Sequence, residues 1–381
     1  MRRAAAGLAA AAALAGLLAG TAAAHPRVAS SSPAAGAHLE QAPAQIVVRL
    51  TEPVQPVGDG ITVTGPDGAT VTRGPVSVAG TALTRALDAR ARGTYVVEWQ
   101  VVGDDSHPAS GVFVFGVGEA GTATLPTRGH AGTALQALGH WLSLLGYALG
   151  FGVPFAALLS GGMARRLWRL VTAGIVLMLV AEPVSLLGET AALSPGRAFD
   201  AGLARDVLQT SYGHVAGLRL GAALGLWALA GALRQASPRA QWSIPALGAV
   251  TALAYADAAH RIAGLPRALS LLVEALHVAA FGAWLGCVVV AVVASRSREL
   301  ARHAVPAAIL LVATGVGLAL AHLGRPGDVP DTAYGRALAI KVALVAIALA
   351  LGAAARRRAE LAAALAALAA AGVLVSLAPP L

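Results

Sequence analysis

The chain has 381 residues, 57% of them hydrophobic and only 12% charged, with a mean hydropathy of +0.69. A soluble domain carries about twice that charged fraction, so a soluble globular enzyme is excluded and a multi-span membrane protein is expected. The net charge of +9 does not mark a nucleic-acid binder, because the basic residues are almost all Arg scattered between apolar runs. Lys341 is the one lysine, and it lies inside such a run. A single cysteine, Cys287, excludes an internal disulfide and a Cys-rich metal motif, and three methionines exclude a methionine-rich site.

Residues 1–24 read as a secretory signal peptide. Arg2 and Arg3 precede an apolar stretch from Ala4 to Leu18, and Ala22-Ala23-Ala24 offers a small-residue cleavage site. An uncleaved first anchor is the alternative. Cleavage after Ala24 makes His25 the new N-terminus. Residues 25–118 differ in kind: Ile46–Leu50, Ile61–Thr64, Tyr95–Val101 and Val112–Val117 are short, rich in Val and Thr and partly alternating. Separated by Pro, Gly and Asp, they predict an all-β sandwich or barrel of about a hundred residues. Arg27 to Glu119 holds six basic and nine acidic residues, a net −3, whereas Arg2 and Arg3 add +2 and the remainder of the chain carries +10.

A Gly/Thr/Pro linker over 119–130 leads into an all-α region, 131–381. Eight apolar runs follow, near 134–159, 167–188, 212–233, 243–262, 268–294, 304–323, 333–355 and 360–378. Each is close to the ~20 residues that cross a bilayer. Segments after the odd-numbered runs concentrate Arg, as in Arg165/Arg166/Arg169 and Arg356/Arg357/Arg358, and His303 falls in one of them. Those after the even-numbered runs hold fewer Arg and most of the acids. The positive-inside rule then places the β domain outside, on the periplasmic face of the cytoplasmic membrane.

Two histidine-bearing features mark the β domain as a metal binder. An N-terminal His25 offers its α-amine and imidazole together, and Asp105-Ser106-His107-Pro108 follows the Tyr95–Val101 strand. Three nitrogens and a carboxylate suit Cu(II), which favours tetragonal N,O sites. Pro26 has no amide proton to lose, so only the amine–imidazole chelate is open to His25. A surface turn shaped by Asp105 and His107 is the plainer reading, and His38 is expected to face solvent.

The stretches His25-Pro26-Arg27-Val28, Ser32-Pro33-Ala34-Ala35-Gly36-Ala37 and Leu50-Thr51-Glu52-Pro53-Val54 resemble the periplasmic copper-binding CopC family. So do Gly93-Thr94-Tyr95-Val96-Val97-Glu98-Trp99, Asp105-Ser106-His107-Pro108 and Gly111-Val112-Phe113-Val114-Phe115. The resemblance implies a Greek-key fold binding Cu(II) through His25, Asp105 and His107. Ser106 stands where that family usually has Gly. The family's Met-rich Cu(I) site is not expected, since these residues include no Met.

Ionisable residues inside apolar helices are costly and mark functional positions. His140, His214, Asp257, His260, Glu274, His277, His322 and Lys341 all fall in the outer half of their runs, and Glu182 nearer the middle. Such asymmetry suggests a polar vestibule open to the periplasm. Asp257/His260 and Glu274/His277 are i,i+3 pairs sharing a helix face. Lys341 could pair with Glu182 or with Glu274. Helix–helix hydrogen bonding is the plainer reading for His140, His322 and Asp257, and Cys287 is either a core residue or a thiolate ligand.

The segments Leu276-His277-Val278-Ala279-Ala280-Phe281-Gly282-Ala283-Trp284-Leu285-Gly286 and Tyr334-Gly335-Arg336-Ala337-Leu338-Ala339-Ile340-Lys341-Val342-Ala343-Leu344-Val345 resemble the CopD copper-resistance family. Tyr212-Gly213-His214-Val215-Ala216-Gly217-Leu218-Arg219 is loosely similar to a third segment of it. His260 falls near that family's Gly-His-Ala element, with Ala259 in place of the Gly. Together the resemblances imply a fused CopC–CopD-like chain that captures Cu(II) outside and moves copper across the membrane, inward. The copper path would run through His140, His214, His260, His277 and His322. Copper ions and membrane lipid are the expected partners, with other periplasmic copper proteins, and no enzymatic activity is expected. Two other readings stand: bis-His haem ligation, for example by His214 and His277, for electron transfer, and a periplasmic copper buffer with a membrane anchor.

Overall fold

The computed structural model describes residues 26–103, 106, 108–118, 131–257, 265–295, 297–323, 325 and 327–377. The signal segment 1–24, His25, Asp105, His107, the linker 119–130 and His260 lie outside the described residues. The chain divides into two compact units: His25–Gly132 with Leu186–His214, and Thr133–Ser185 with Val215–Leu381.

The first unit is built on eight strands: β1 (Val28–Ser32), β2 (His38–Leu39), β3 (Gln45–Leu50), β4 (Val54–Thr64), β5 (Thr72–Ala79), β6 (Ala82–Leu87), β7 (Gly93–Gly103) and β8 (Pro108–Val117). They form two four-stranded sheets, ordered β1-β3-β6-β5 and β2-β8-β7-β4, hence a sandwich. The core follows the period of two that a strand imposes. Ile46, Val48 and Leu50 of β3, Ile61 and Val63 of β4, and Tyr95, Val97, Trp99 and Val101 of β7 are buried together.

The sequence signal is weaker in β4, β5 and β6, for local reasons. Gly58 and Gly60 take positive φ where β4 slips register against β7 between Pro56 and Ile61. In β6 the buried Arg85 breaks the apolar alternation. Its guanidinium donates to the Asp59 and Ile61 carbonyls and faces the Asp59 carboxylate at 3.5 Å. β5 is an edge strand, largely exposed, and contains Gly74 and Pro75.

Trp99 and Gly111 are register partners on β7 and β8, and a Cβ at 111 would run into the Trp99 indole. The ring lies across the glycine and is 6% exposed. Gly111→Ala is expected to destabilise the sandwich by about 1–3 kcal/mol, as overpacking does, measured as a fall in the denaturant midpoint. An unchanged midpoint would mean that the indole moves aside freely.

Leu186–His214 completes this unit. It contains the end of α3 (Arg165–Leu193), the short α4 (Ala201–Leu208) and the start of α5 (Ser211–Ala232). Asp200 caps α4 by accepting the Leu203 amide at 2.9 Å and pairs with Arg197. These contacts, the Leu203 amide first, hold its carboxyl below the usual range. Its contribution is therefore present at neutral pH and is lost as the pH falls through that lowered value. Gly213 lets α5 start directly against the Leu208 carbonyl, where any side chain would collide.

The second unit is helical. Besides α3 and α5 it contains α1 (Ala131–Tyr147), a π turn (Ala148–Gly152) running into α2 (Val153–Leu159), α6 (Ser243–Ala256), α7 (Arg267–Ala294), α8 (Ser297–His322), α9 (Ala333–Ala353) and α10 (Arg357–Val375). Among the described residues seven helical stretches are long and apolar enough to cross a membrane. The run expected at 243–262 is helical as α6, which has 14 residues, and 258–264 lie outside the described residues. His303, expected between helices, is on α8, which begins at Ser297 before its apolar stretch.

α7 is the central helix and packs against α1–α2, α6, α8 and α10. Small residues allow the closest approaches, as is usual between membrane helices. A Cβ on Gly152 or Gly286 would meet the backbone of the other helix, and Phe151 fills the space above Gly248 and Gly282. Cys287 is buried in the same apolar core as Trp284 and Val288. Large apolar side chains such as Trp227, Val250, Ile340 and Val342 face outward. Such faces suit lipid rather than water.

Candidate metal-handling site

The candidate ligands of the β domain flank described structure on both sides. β7 and β8 are paired through Val102 and Pro108, and residues 104–107 join them. Ser106 lies there with φ 67°, is 5% exposed, and its amide donates to the Gly103 carbonyl at 3.1 Å. That left-handed backbone is the conformation glycine adopts most readily, a physical reason for the Gly of the resembling sequences. On the other side, the Arg27 amide donates to Thr51 Oγ1 at 3.1 Å and the Thr51 amide to the Arg27 carbonyl at 2.9 Å. Pro26, Arg27 and Val28 thereby line one pocket with Trp99, Ser110 and Gly111, of 380 Å³. The residues that follow His25 thus share a pocket with Ser110–Phe113 of β8, the strand that begins at Pro108.

The same hairpin end is held from Leu186–His214. Ser211 donates its hydroxyl to the Gly103 carbonyl at 2.9 Å and its amide to Gln55 Oε1 at 3.0 Å. His214, one turn further along α5, is exposed, as is His38 on β2.

The described membrane histidines do not form a cluster. Among the described residues no three His, Cys, Asp or Glu side chains come together as a group that could hold a metal. Each of His140, His277 and His322 instead has its own hydrogen-bonding partner on the Nδ1 side. His140 Nδ1 is 3.1 Å from Ser376 Oγ, His277 Nδ1 2.9 Å from Thr314 Oγ1, and His322 Nδ1 2.7 Å from the Leu318 carbonyl. Asp257 pairs with Arg267.

The intramembrane charges sort into two sets. Glu274, which shares a face of α7 with His277, interacts electrostatically with Lys341 and Tyr334 of α9, and His277 also feels Lys341. Glu182 belongs to the other set: Arg219 Nε of α5 stands 3.0 Å from its Oε1, both side chains nearly fully buried. Glu182 Oε2 has no hydrogen-bond partner among the described residues. The Arg219 guanidinium lies 5.8 Å above the Tyr255 ring, and Tyr255 shares a 2.8 Å hydrogen bond with Ser143. Sequence reasoning missed Arg219 as a partner, although an Arg eight residues into an apolar helix is itself a signal. Thr314, Ser376 and Tyr255 carry no such signal.

A β-sandwich followed by apolar helices defines the architecture, and family comparisons give it a class. Residues 28–118 match the family model described as CopC domain, and residues 295–378 match the one described as Copper resistance protein D. One chain therefore matches both family models in separate segments, which indicates copper handling. The second match takes in α8 to α10, including Tyr334–Val345, while the segments around His214 and His277 lie outside it. Among solved structures, CopC from Methylosinus trichosporium OB3b is 24% identical, with 26% of this chain and 100% of that chain covered and a TM-score of 0.23. PcoC, a methionine rich copper resistance protein from Escherichia coli, is 24% identical, with 25% of this chain and 100% of that chain covered and a TM-score of 0.21. No curated protein matches the chain.

Proposed function

We propose that the chain captures Cu(II) on the periplasmic face of the cytoplasmic membrane and moves copper inward through its helices, contributing to copper homeostasis and resistance. The observation that carries this reading is the pocket where Pro26–Val28 meet Trp99, Ser110 and Gly111. Its lining comes from segments that follow His25 and Asp105/His107 in sequence, and on this reading an amine, two imidazoles and a carboxylate serve one ion. That donor set suits tetragonal Cu(II).

The reading requires residues 1–24 to leave as a signal peptide, since a retained segment would abolish the free amine. An acidic outer domain and Arg-rich segments between alternate apolar runs support the orientation. Within the helices copper meets His140, His277 and His322 singly, with His214 and His260 on the same route, and the protein carries the ion rather than transforming it. Cellular copper with and without the protein tests the direction. Lower cytoplasmic copper on deletion is expected, and higher copper would overturn inward movement. Mass spectrometry of the mature N-terminus should begin at His25, and a chain that keeps residues 1–24 would overturn the amine ligand.

A further inference from the structure

We infer that Thr314 and Gly315 of α8 form a seat that locks His277 as its Nδ1–H tautomer and presents Nε2 as a one-sided ligand for copper in transit. This deepens the copper-carrying reading and rests on it. The argument starts from the single hydrogen of a threonine hydroxyl. Thr314 Oγ1 lies 2.7 Å from the Leu310 carbonyl and 3.2 Å from the Leu311 carbonyl, and a carbonyl can only accept. The Thr314 hydrogen is thereby committed to its own helix. Towards His277 Nδ1, 2.9 Å away, the Thr314 oxygen acts as acceptor, so the proton sits on Nδ1. In the neutral ring the lone pair is then on Nε2, the nitrogen left to bind a metal.

Two further contacts fix the ring. Thr314 is fully buried, so water does not compete for the anchor. At position 315 a Cβ would come within 3.0 Å of His277 Cε1, tighter than carbon atoms pack, so the imidazole rests directly on the α8 backbone. Glu274 on the same face of α7 interacts electrostatically with Lys341 and Tyr334 of α9, and Lys341 also acts on His277. The arrangement recurs on α1, where Ser376 gives its hydrogen to the Gly372 carbonyl at 3.0 Å and so accepts from His140 Nδ1.

The test uses the full chain in lipid vesicles with ¹⁵N-labelled histidine, His277 being identified by difference against His277→Asn. The wild-type His277 spectrum should show a protonated Nδ1 and an unprotonated Nε2. Thr314→Ser should keep that signature, and Thr314→Val should convert it to a mixture of tautomers. Cu(I) flux into the vesicles, supplied with ascorbate, should fall about tenfold in Thr314→Val, the scale expected for loss of a ligand's orienting partner, and recover in Thr314→Ser. A wild-type His277 with its proton on Nε2 would overturn the seat. So would unchanged flux in a Thr314→Val protein whose tautomer has shifted. Undiminished flux in His277→Asn would instead overturn the copper-carrying role of His277, whatever the tautomer.

Discussion

His107→Ala is expected to abolish the tetragonal Cu(II) spectrum of the full chain and to weaken Cu(II) binding by well over the ~10–100-fold that follows loss of an outer hydrogen-bond partner. On the proposed site the effect is large because an imidazole nitrogen would leave the first coordination sphere, and the described lining of the pocket, Pro26–Val28, Ala35, Trp99 and Ser110–Phe113, includes no histidine. Electron paramagnetic resonance at one Cu(II) equivalent measures it. Asp105→Asn should retain a tetragonal signal with altered parameters, since an amide oxygen is a weaker donor than a carboxylate. A wild-type signal from His107→Ala would remove this histidine from the site. A Soret band in the purified protein would favour haem ligation over copper carriage in the membrane part.

Arg219→Ala is expected to cost about 3–5 kcal/mol, the range for stranding one member of a buried ion pair. Glu182 is 5% exposed and its Oε2 has no hydrogen-bond partner among the described residues, so the carboxylate loses the compensating charge that Arg219 supplies. Glu182→Ala should cost a similar amount by stranding the guanidinium. The double change Glu182→Ala/Arg219→Ala should be milder than the two losses added together, because neither charge is then left in the apolar interior. Thermal unfolding of the detergent-solubilised chain measures all three. Additive losses would show that the 3.0 Å approach of the two groups carries no coupling.

The sequence exposes those features of the architecture whose signal is long or periodic. Apolar runs near the ~20 residues of a bilayer crossing identify the helices, and alternation in Ile46–Leu50 and Tyr95–Val101 identifies the central strands. β6 escapes because Arg85 is buried there among apolar neighbours, solvated by the Asp59 and Ile61 carbonyls instead of by water. Periodicity reports which residues share a face of one helix and is silent on what the next helix brings to it. The i,i+3 spacing thus places Glu274 with His277, yet that Lys341 interacts with Glu274, while Glu182 pairs with Arg219, depends on the fold and not on spacing along one helix. Thr314 is invisible for the same reason: a threonine in an apolar helix looks like any other until a histidine ring stands against it.

The joining of Leu186–His214 to the sandwich has a consequence for how the protein is made. Ser211, which holds the Gly103 carbonyl and Gln55, lies 93 residues after the end of the sandwich at 118. At the roughly 5–20 residues per second of synthesis, it emerges some 5–20 s after the last strand. The β unit is therefore completed only after α1–α2 and α3 have been synthesised. Its final packing thus waits on the chain beyond the first two apolar helical stretches, so a defect in the segment Leu186–His214 would surface as a loose β7–β8 hairpin.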